Sequence, residues 1–234
     1  MSVICNEYCR PICRHVGLVH EARKLGVMKR IGLKIAVLAI FVCTVSTVST
    51  VSTVSSWAGE SAAVRNCTWC HGSGAQGYTV APRLAGQRPQ YIMSQIRSFR
   101  EHTRDNPFSK QYMWGAVAAL RPHEARDLAI YFATLIPKAA NDGDRDLAAR
   151  GRTIYLEGIP EANIVSCYAC HGPNAEGVRD IPRLGGLAYF YLKGRLQQWG
   201  EGYHSGAASP MPMVASKLGP DEIEALASYL SFVK

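Results

Sequence analysis

Cys67, Cys70 and His71 stand together in the stretch Cys67-Thr68-Trp69-Cys70-His71, and one hundred residues later Cys167-Tyr168-Ala169-Cys170-His171 repeats the arrangement. Two thiols three residues apart on a helical turn can reach the two vinyl groups of one haem as thioethers, and the adjacent histidine then turns its imidazole onto the iron. A redox C-x-x-C or half of a zinc site uses the same pair of thiols, but neither needs a histidine directly after the second cysteine in both copies. The sequence therefore predicts two covalently bound haem c groups, with His71 and His171 as iron ligands.

Each iron needs a ligand on its other face, and that choice decides the chemistry. Between residue 59 and the C-terminus the candidates are Met93, Met113, Met211 and Met213, with His102, His123 and His204. Met93 falls inside an expected helix and reads as core filler. Met113 and Met211 hold equivalent places, 42 and 40 residues after their histidines, on the chain that returns before each last helix. They are the expected sixth ligands. Met213 is the runner-up, although its counterpart in the first copy is Gly115. His102 and His204, which have roughly corresponding positions, keep bis-histidine ligation as the alternative. With a methionine on each iron no coordination position stays open, and a thioether ligand in an apolar pocket favours ferrous iron. Such irons carry electrons and bind no substrate.

The elements that must hold these groups are duplicated too. At an offset of 100, Cys67 to Tyr91 and Cys167 to Tyr191 share both cysteines, the histidine, Gly72, Ala75, Gly77, Pro82, Arg83, Leu84, Gly86 and Tyr91 without a gap. Met113 and Met211 each lie seven residues before a leucine and lead into a Leu-Ala-x-Tyr helix at an offset of 98. A repeat of about a hundred residues is too long for a solenoid unit and suits two tandem globular domains. The expected division is a domain at 59–136, a polar linker at 137–144 rich in Pro, Asn, Asp and Gly, and a second domain at 145–234. Helices are expected at 62–71, 88–103, 122–135, 145–157, 164–171, 187–199 and 220–233, with essentially no sheet. Pro122 and Pro220 stand where a first helical turn tolerates proline.

Of 26 Lys/Arg and 18 Asp/Glu, the first 58 residues hold seven and two, so the remainder carries 19 against 16, a formal +3 in place of the +8 of the whole chain. Four haem propionates offset that excess, and no nucleic-acid partner is implied. Residues 1–58 read as a targeting segment. The economical start is Met28, followed by Lys29, Arg30 and Lys34, an apolar run from Ile35 to Val45, and the small-x-small site Ser56-Trp57-Ala58. An uncleaved N-terminal anchor is the alternative, since threonine and valine extend the apolar run. Cys43 lacks the small residue expected before a lipidated cysteine. Cys5, Cys9 and Cys13 recur at every fourth residue without completing a known metal site. Covalent haem attachment of this kind is completed outside the cytoplasm in bacteria, so motif and export signal agree on a periplasmic location.

The double C-x-x-C-H, the Pro-x-Leu eleven residues after each histidine, Leu84-Ala85-Gly86-Gln87 followed by Tyr91, and the methionine seven residues before a leucine together resemble the dihaem cytochrome c4 family. The resemblance covers almost all of residues 59–234. It implies an all-α fold of two class I cytochrome c domains about a pseudo-two-fold axis, the first and last helices of each crossing. It also implies that the carbonyls of Pro82 and Pro182 accept from Nδ1–H of His71 and His171, and that the haems face each other with propionates inward. Tyr91 and Tyr191 would lie near that contact, and Arg83 and Arg183 would pair with propionates. The short approach to Cys67 and Gly185-Gly186-Leu187 in place of Ala85-Gly86-Gln87 depart from a uniform repeat. The function expected is a periplasmic carrier, soluble or loosely membrane-attached, moving electrons from a quinol-oxidising complex or other donor to a terminal oxidase. A dihaem subunit of a larger oxidoreductase, similar to the partner of a flavocytochrome c, and a dihaem peroxidase or thiosulfate-oxidising enzyme are the other classes.

Overall fold

The computed structural model describes residues 61–204 and 209–234, and what the sequence suggests for residues 1–58 lies outside them. Residues 59–234 form one compact unit. The described residues are helical, with two isolated β-bridges, Ile159 to Ile164 and Val178 to Ile181.

In the first repeat, α1 (Ala62–His71) starts at Ser61, whose Oγ accepts from the Val64 N–H at 3.2 Å. It runs without a break through the C-x-x-C-H residues and stops at Gly72, where φ is 85°. Helix α2 (Pro89–Arg100) follows, with Pro89 in its first turn and Ile92 and Phe99 buried. A π turn, Ser109–Met113, runs into the short α3 (Trp114–Val117). Helix α4 (Pro122–Thr134) buries Ala125, Leu128, Ala129 and Phe132, a one-faced stripe at helical spacing that packs on α2.

The second repeat divides its entry into two pieces. Helix α5 (Arg145–Glu157) is capped by Asp144, and α6 (Tyr168–His171) carries the second haem motif. Helices α7 (Tyr189–Gly200), α8 (Met211–Ala215) and α9 (Pro220–Phe232) complete it. Helix α5 crosses α9 so closely that a Cβ on Gly151 would lie 1.9 Å from the Ala225 carbonyl oxygen. In the first repeat α1 does both jobs, haem motif and first helix, which is why its core around Val64, Ile92, Leu128 and Phe132 is the smaller. The second core gathers Ile154, Tyr155, Leu187, Leu192, Leu226 and Leu230.

Three helical pieces were not expected from the pattern: the π turn with α3, the 3₁₀ turn Pro160–Ala162, and α8. Conversely, residues 164–167 are not helical, because Ile164 is bridged back to Ile159. The polar stretch 137–144 is fastened along its length. Lys138 N–H donates to Gln76 Oε1, Ala140 N–H to the Gly186 carbonyl, and Gly143 and Asp144 N–H to Ser231 Oγ and Ser228 Oγ on α9. Asp142 Oδ1 accepts from Tyr189 N–H and so caps α7.

Candidate functional site

Both haem motifs are held by the same loop. Gly77 N–H donates to the His71 carbonyl at 2.8 Å and Leu84 N–H to the Ala75 carbonyl at 2.9 Å; Gly177 and Leu184 repeat the pair at 2.8 and 2.8 Å. The loop doubles back so tightly at Gly77, φ 80°, that a Cβ there would sit 2.4 Å from Arg83 N. This folding-back brings Pro82 under the histidine. His71 Nδ1 lies 2.7 Å from the Pro82 carbonyl oxygen and His171 Nδ1 lies 3.0 Å from that of Pro182. A carbonyl accepts only, so Nδ1 carries the proton and Nε2 is left with its lone pair for a metal. Both imidazoles are buried, and burial holds each below the ordinary histidine range. Each ring is neutral, with the Nε2 lone pair available to a metal.

The four cysteines are free, with Cys70 and Cys170 exposed and Cys67 and Cys167 partly covered. Burial pushes both Cys67 and Cys167 up to about 11, with the neighbouring Cys70 adding to the shift at Cys67. Met113 closes the π turn and Met211 opens α8, each half-buried, whereas Met213 is 66 % exposed. Met93 is not core filler. It is 41 % exposed and lines an open groove of about 970 Å³ formed by α2, the start of α4 and Arg179 and Asp180 of the second repeat.

The two repeats meet through polar side chains that motif matching does not reveal. Arg83 is buried and directs Nη1 to the carbonyls of Lys138 (2.6 Å) and Gly186 (2.7 Å) and Nη2 to that of Gly185 (2.5 Å). Those two nitrogens are thus committed to backbone. Gly186, which both repeats share as glycine, is what lets the guanidinium in, for a Cβ there would lie 2.7 Å from Arg83 Nη1. Gln87 clasps the backbone of Arg183, accepting from its N–H at 2.7 Å and donating to its carbonyl at 3.0 Å. Arg88 Nε donates to the Glu176 carbonyl at 2.7 Å.

Deeper in the same contact lie Tyr91, Tyr191, Arg104, Arg195 and His204. Arg104 donates to Gln95 Oε1 at 2.7 Å and to Tyr191 Oη at 3.2 Å, and also bonds Tyr91. Burial raises Tyr91; it raises Tyr191 too, but there Arg104 and Arg195 outweigh it and hold the phenol below its ordinary value. Burial and then Arg104 push Arg195 down to about 10. His204, which the chain brings in beside Asp105 through its backbone N–H at 3.0 Å, is buried and pushed down to about 3 by burial, then by Arg195 and Arg104. His102, by contrast, is exposed and stacked on Trp114 at 3.8 Å.

Whether these residues suit haem is tested by the buried nitrogens. Among the described residues, Arg83 Nε, Arg104 Nε, Arg183 Nε and His204 Nε2 are buried without a hydrogen-bond partner. Each unpaired donor costs about 1–3 kcal/mol. The four form two pairs one hundred residues apart, so each repeat holds two nitrogens lacking acceptors, and a haem brings two carboxylates. The ion pairs found among the described residues, Arg121–Glu124, Arg150–Glu222 and Lys193–Glu224, involve none of them. The site fits the cofactor that the motifs call for.

Comparison with known proteins agrees. The family model for cytochrome c matches residues 148–234. The cytochrome c4 of Thiocapsa roseopersicina is 32 % identical over 74 % of this chain and 90 % of its own length. A thiosulfate dehydrogenase electron acceptor from Thiomonas intermedia is 34 % identical over 75 % of this chain and 82 % of its own. The solved cytochrome c4 of Acidithiobacillus ferrooxidans superimposes with a TM-score of 0.66 at 29 % identity, covering 71 % of this chain and 98 % of that one.

Proposed function

The chain belongs to the dihaem cytochrome c4 family, and from that premise we propose that it is a periplasmic carrier relaying electrons between a quinol-oxidising complex or other donor and a terminal oxidase. Its fold is all-α, two tandem class I cytochrome c domains, and it is a dihaem electron-transfer protein with two covalent haem c groups. Cys67 and Cys70 attach one haem, Cys167 and Cys170 the other. The bound haems supply one-electron iron chemistry. The protein's part is to fix the ligands and shield them. His71 and His171, oriented by the carbonyls of Pro82 and Pro182, would hold the irons through neutral Nε2, and Met113 and Met211 would each supply a second ligand, leaving no iron position for substrate.

The observation that carries this reading is the repeated Nδ1 contact to a proline carbonyl, at 2.7 and 3.0 Å, followed in each repeat by a half-buried methionine before the last helix. Among the described residues no helix is long and apolar enough to cross a membrane. A loose attachment to the outer face of the inner membrane belongs to the same proposal. A second reading is favoured by two relatives: the proteins of Thiomonas intermedia and Stutzerimonas stutzeri are thiosulfate dehydrogenase electron acceptors, so a thiosulfate-oxidising enzyme is a second candidate donor.

The test is the weak near-infrared band of methionine–iron charge transfer in the oxidised protein, quantified per haem. Intensity for two methionines per chain is expected. Intensity for one or none would overturn the closed-iron carrier and direct attention to peroxide and thiosulfate as substrates.

A further inference from the structure

Helices α2 and α7 keep an offset of 100, and so does the chain just beyond them, setting Gln95 against Arg195, Phe99 against Trp199 and Arg104 against His204. His204 is therefore the counterpart of an arginine. The two sets are built alike. In the first, the Arg104 guanidinium lies 4.8 Å from the Phe99 ring centroid and binds Gln95 at 2.7 Å. In the second, the His204 ring lies 5.0 Å from that of Trp199, with Arg195 Nη2 3.5 Å from Nδ1. Each set leaves one buried nitrogen unpaired, Arg104 Nε in the first and His204 Nε2 in the second.

A guanidinium can only donate, so His204 Nδ1 is the acceptor facing Arg195 and the ring's proton sits on Nε2. Both unpaired nitrogens are consequently donors at equivalent places. Buried donors are paired in a finished structure, and the group that arrives at equivalent places in both repeats is haem. We propose that Arg104 Nε and His204 Nε2 each donate to a propionate of the haem in their own repeat, and that this makes the two haems unequal. It rests on the dihaem reading above. Arg83 and Arg183, the other unpaired pair, are both guanidinium cations, so the change of charged group between the repeats lies at Arg104 and His204.

The first haem's carboxylate then meets a fixed cation, the second's a neutral N–H. An anion near the iron stabilises the ferric state, so whatever neutralises it raises the potential. Removing Arg104 uncovers a full charge, and removing the His204 N–H uncovers less, because Arg195 stays beside it.

The experiment is a spectroscopic redox titration of the full holoprotein, resolved into two one-electron components, for the parent, Arg104→Met, His204→Leu and the double variant. The expected result is that Arg104→Met lowers one midpoint potential and His204→Leu lowers the other by a smaller shift. The double variant should lower both, and His204→Gln, which keeps an amide N–H, should restore most of the second. The proposal is overturned if both substitutions move the same component, if either moves both equally as a loosened interface would, or if neither moves any. Should a variant lose haem, Arg104→Lys and His204→Gln replace it. Retained potentials are then expected in His204→Gln, with a downward shift of one component only in Arg104→Lys, whose point charge lacks the Nε donor. The methionine band reads ligation separately: its absence in the parent would sink the closed-iron reading without touching this one.

Discussion

At the scale of residues, the question is which thioether each iron takes, and exposure separates the candidates. Met213 stands two residues from Met211 on the short helix α8, yet is 66 % exposed while Met211 is half-buried. Met113→Ala and Met211→Ala should each remove half of the methionine–iron band and lower one potential by an appreciable part of the roughly 0.8 V span that axial ligands command. Met213→Leu should leave the band intact; a band halved by that substitution would transfer the ligand role to Met213. Gly186 is equally specific. With φ at 73° and a Cβ that would meet Arg83 Nη1 at 2.7 Å and Ala139 Cα at 2.9 Å, Gly186→Ala should cost about 1–3 kcal/mol in denaturant unfolding. An unchanged midpoint would mean that the guanidinium is not seated there. The two haem-attachment motifs were legible in the sequence because attachment chemistry fixes the type and spacing of their cysteines and histidine. Arg104 and His204 were not, because the repeat keeps their place and changes their type, so matching by type paired His204 with His102 instead. Reading outward from the gapless helix register, and accepting unlike residues as counterparts, would have found them.

Elements follow a similar division. Helices at 62–71, 122–134, 145–157 and 220–232 stand within a residue of where periodicity, caps and proline put them, since each buries a stripe wide enough to set the pattern. The π turn that ends on Met113, and α8, which begins with Met211, are five residues each, too short for any period to emerge. Helix α6 was overextended from 164 because the Ile159–Ile164 bridge is a pairing across a turn that a helical window reads as apolar spacing. The crossing of α5 on α9 was implied by family likeness, but its closest point was not. Gly151 lets the Ala225 carbonyl approach to within 1.9 Å of where a Cβ would stand, so Gly151→Ala must force the helices apart. Its expected cost is about 3 kcal/mol or more, against a change within about 0.5 kcal/mol for Thr153→Ala on the exposed face of the same helix. Thermal unfolding of the holoprotein compares them directly, and equal midpoints would contradict the close crossing.

Across the whole molecule, the connection between repeats has the composition of a flexible linker and the bonding of a fixed strap. Its backbone is held by Gln76 on one side and by Gly186, Ser228 and Ser231 on the other, and Arg83 closes the seam by binding Lys138 within it and Gly185 and Gly186 beyond it. Sequence could not show this, because glycine, asparagine and aspartate report only what a backbone tolerates, and the acceptors of Arg83 are main-chain carbonyls that every residue possesses. One consequence concerns cooperativity. If the seam couples the repeats, the parent unfolds in a single calorimetric transition. Arg83→Met strands the Lys138 and Gly185 carbonyls and leaves that of Gly186 with only its bond from Ala140 N–H, and should cost about 2–4 kcal/mol. It should also split the transition in two, since each repeat keeps its own core and haem motif. Arg83→Lys should not rescue it, because one ammonium cannot reproduce a planar fork spread over Lys138, Gly185 and Gly186. A single transition in Arg83→Met at the parent's temperature would show that the repeats are coupled by the strap and the Gln87 clasp instead, and that Arg83 fills space between them without holding them together.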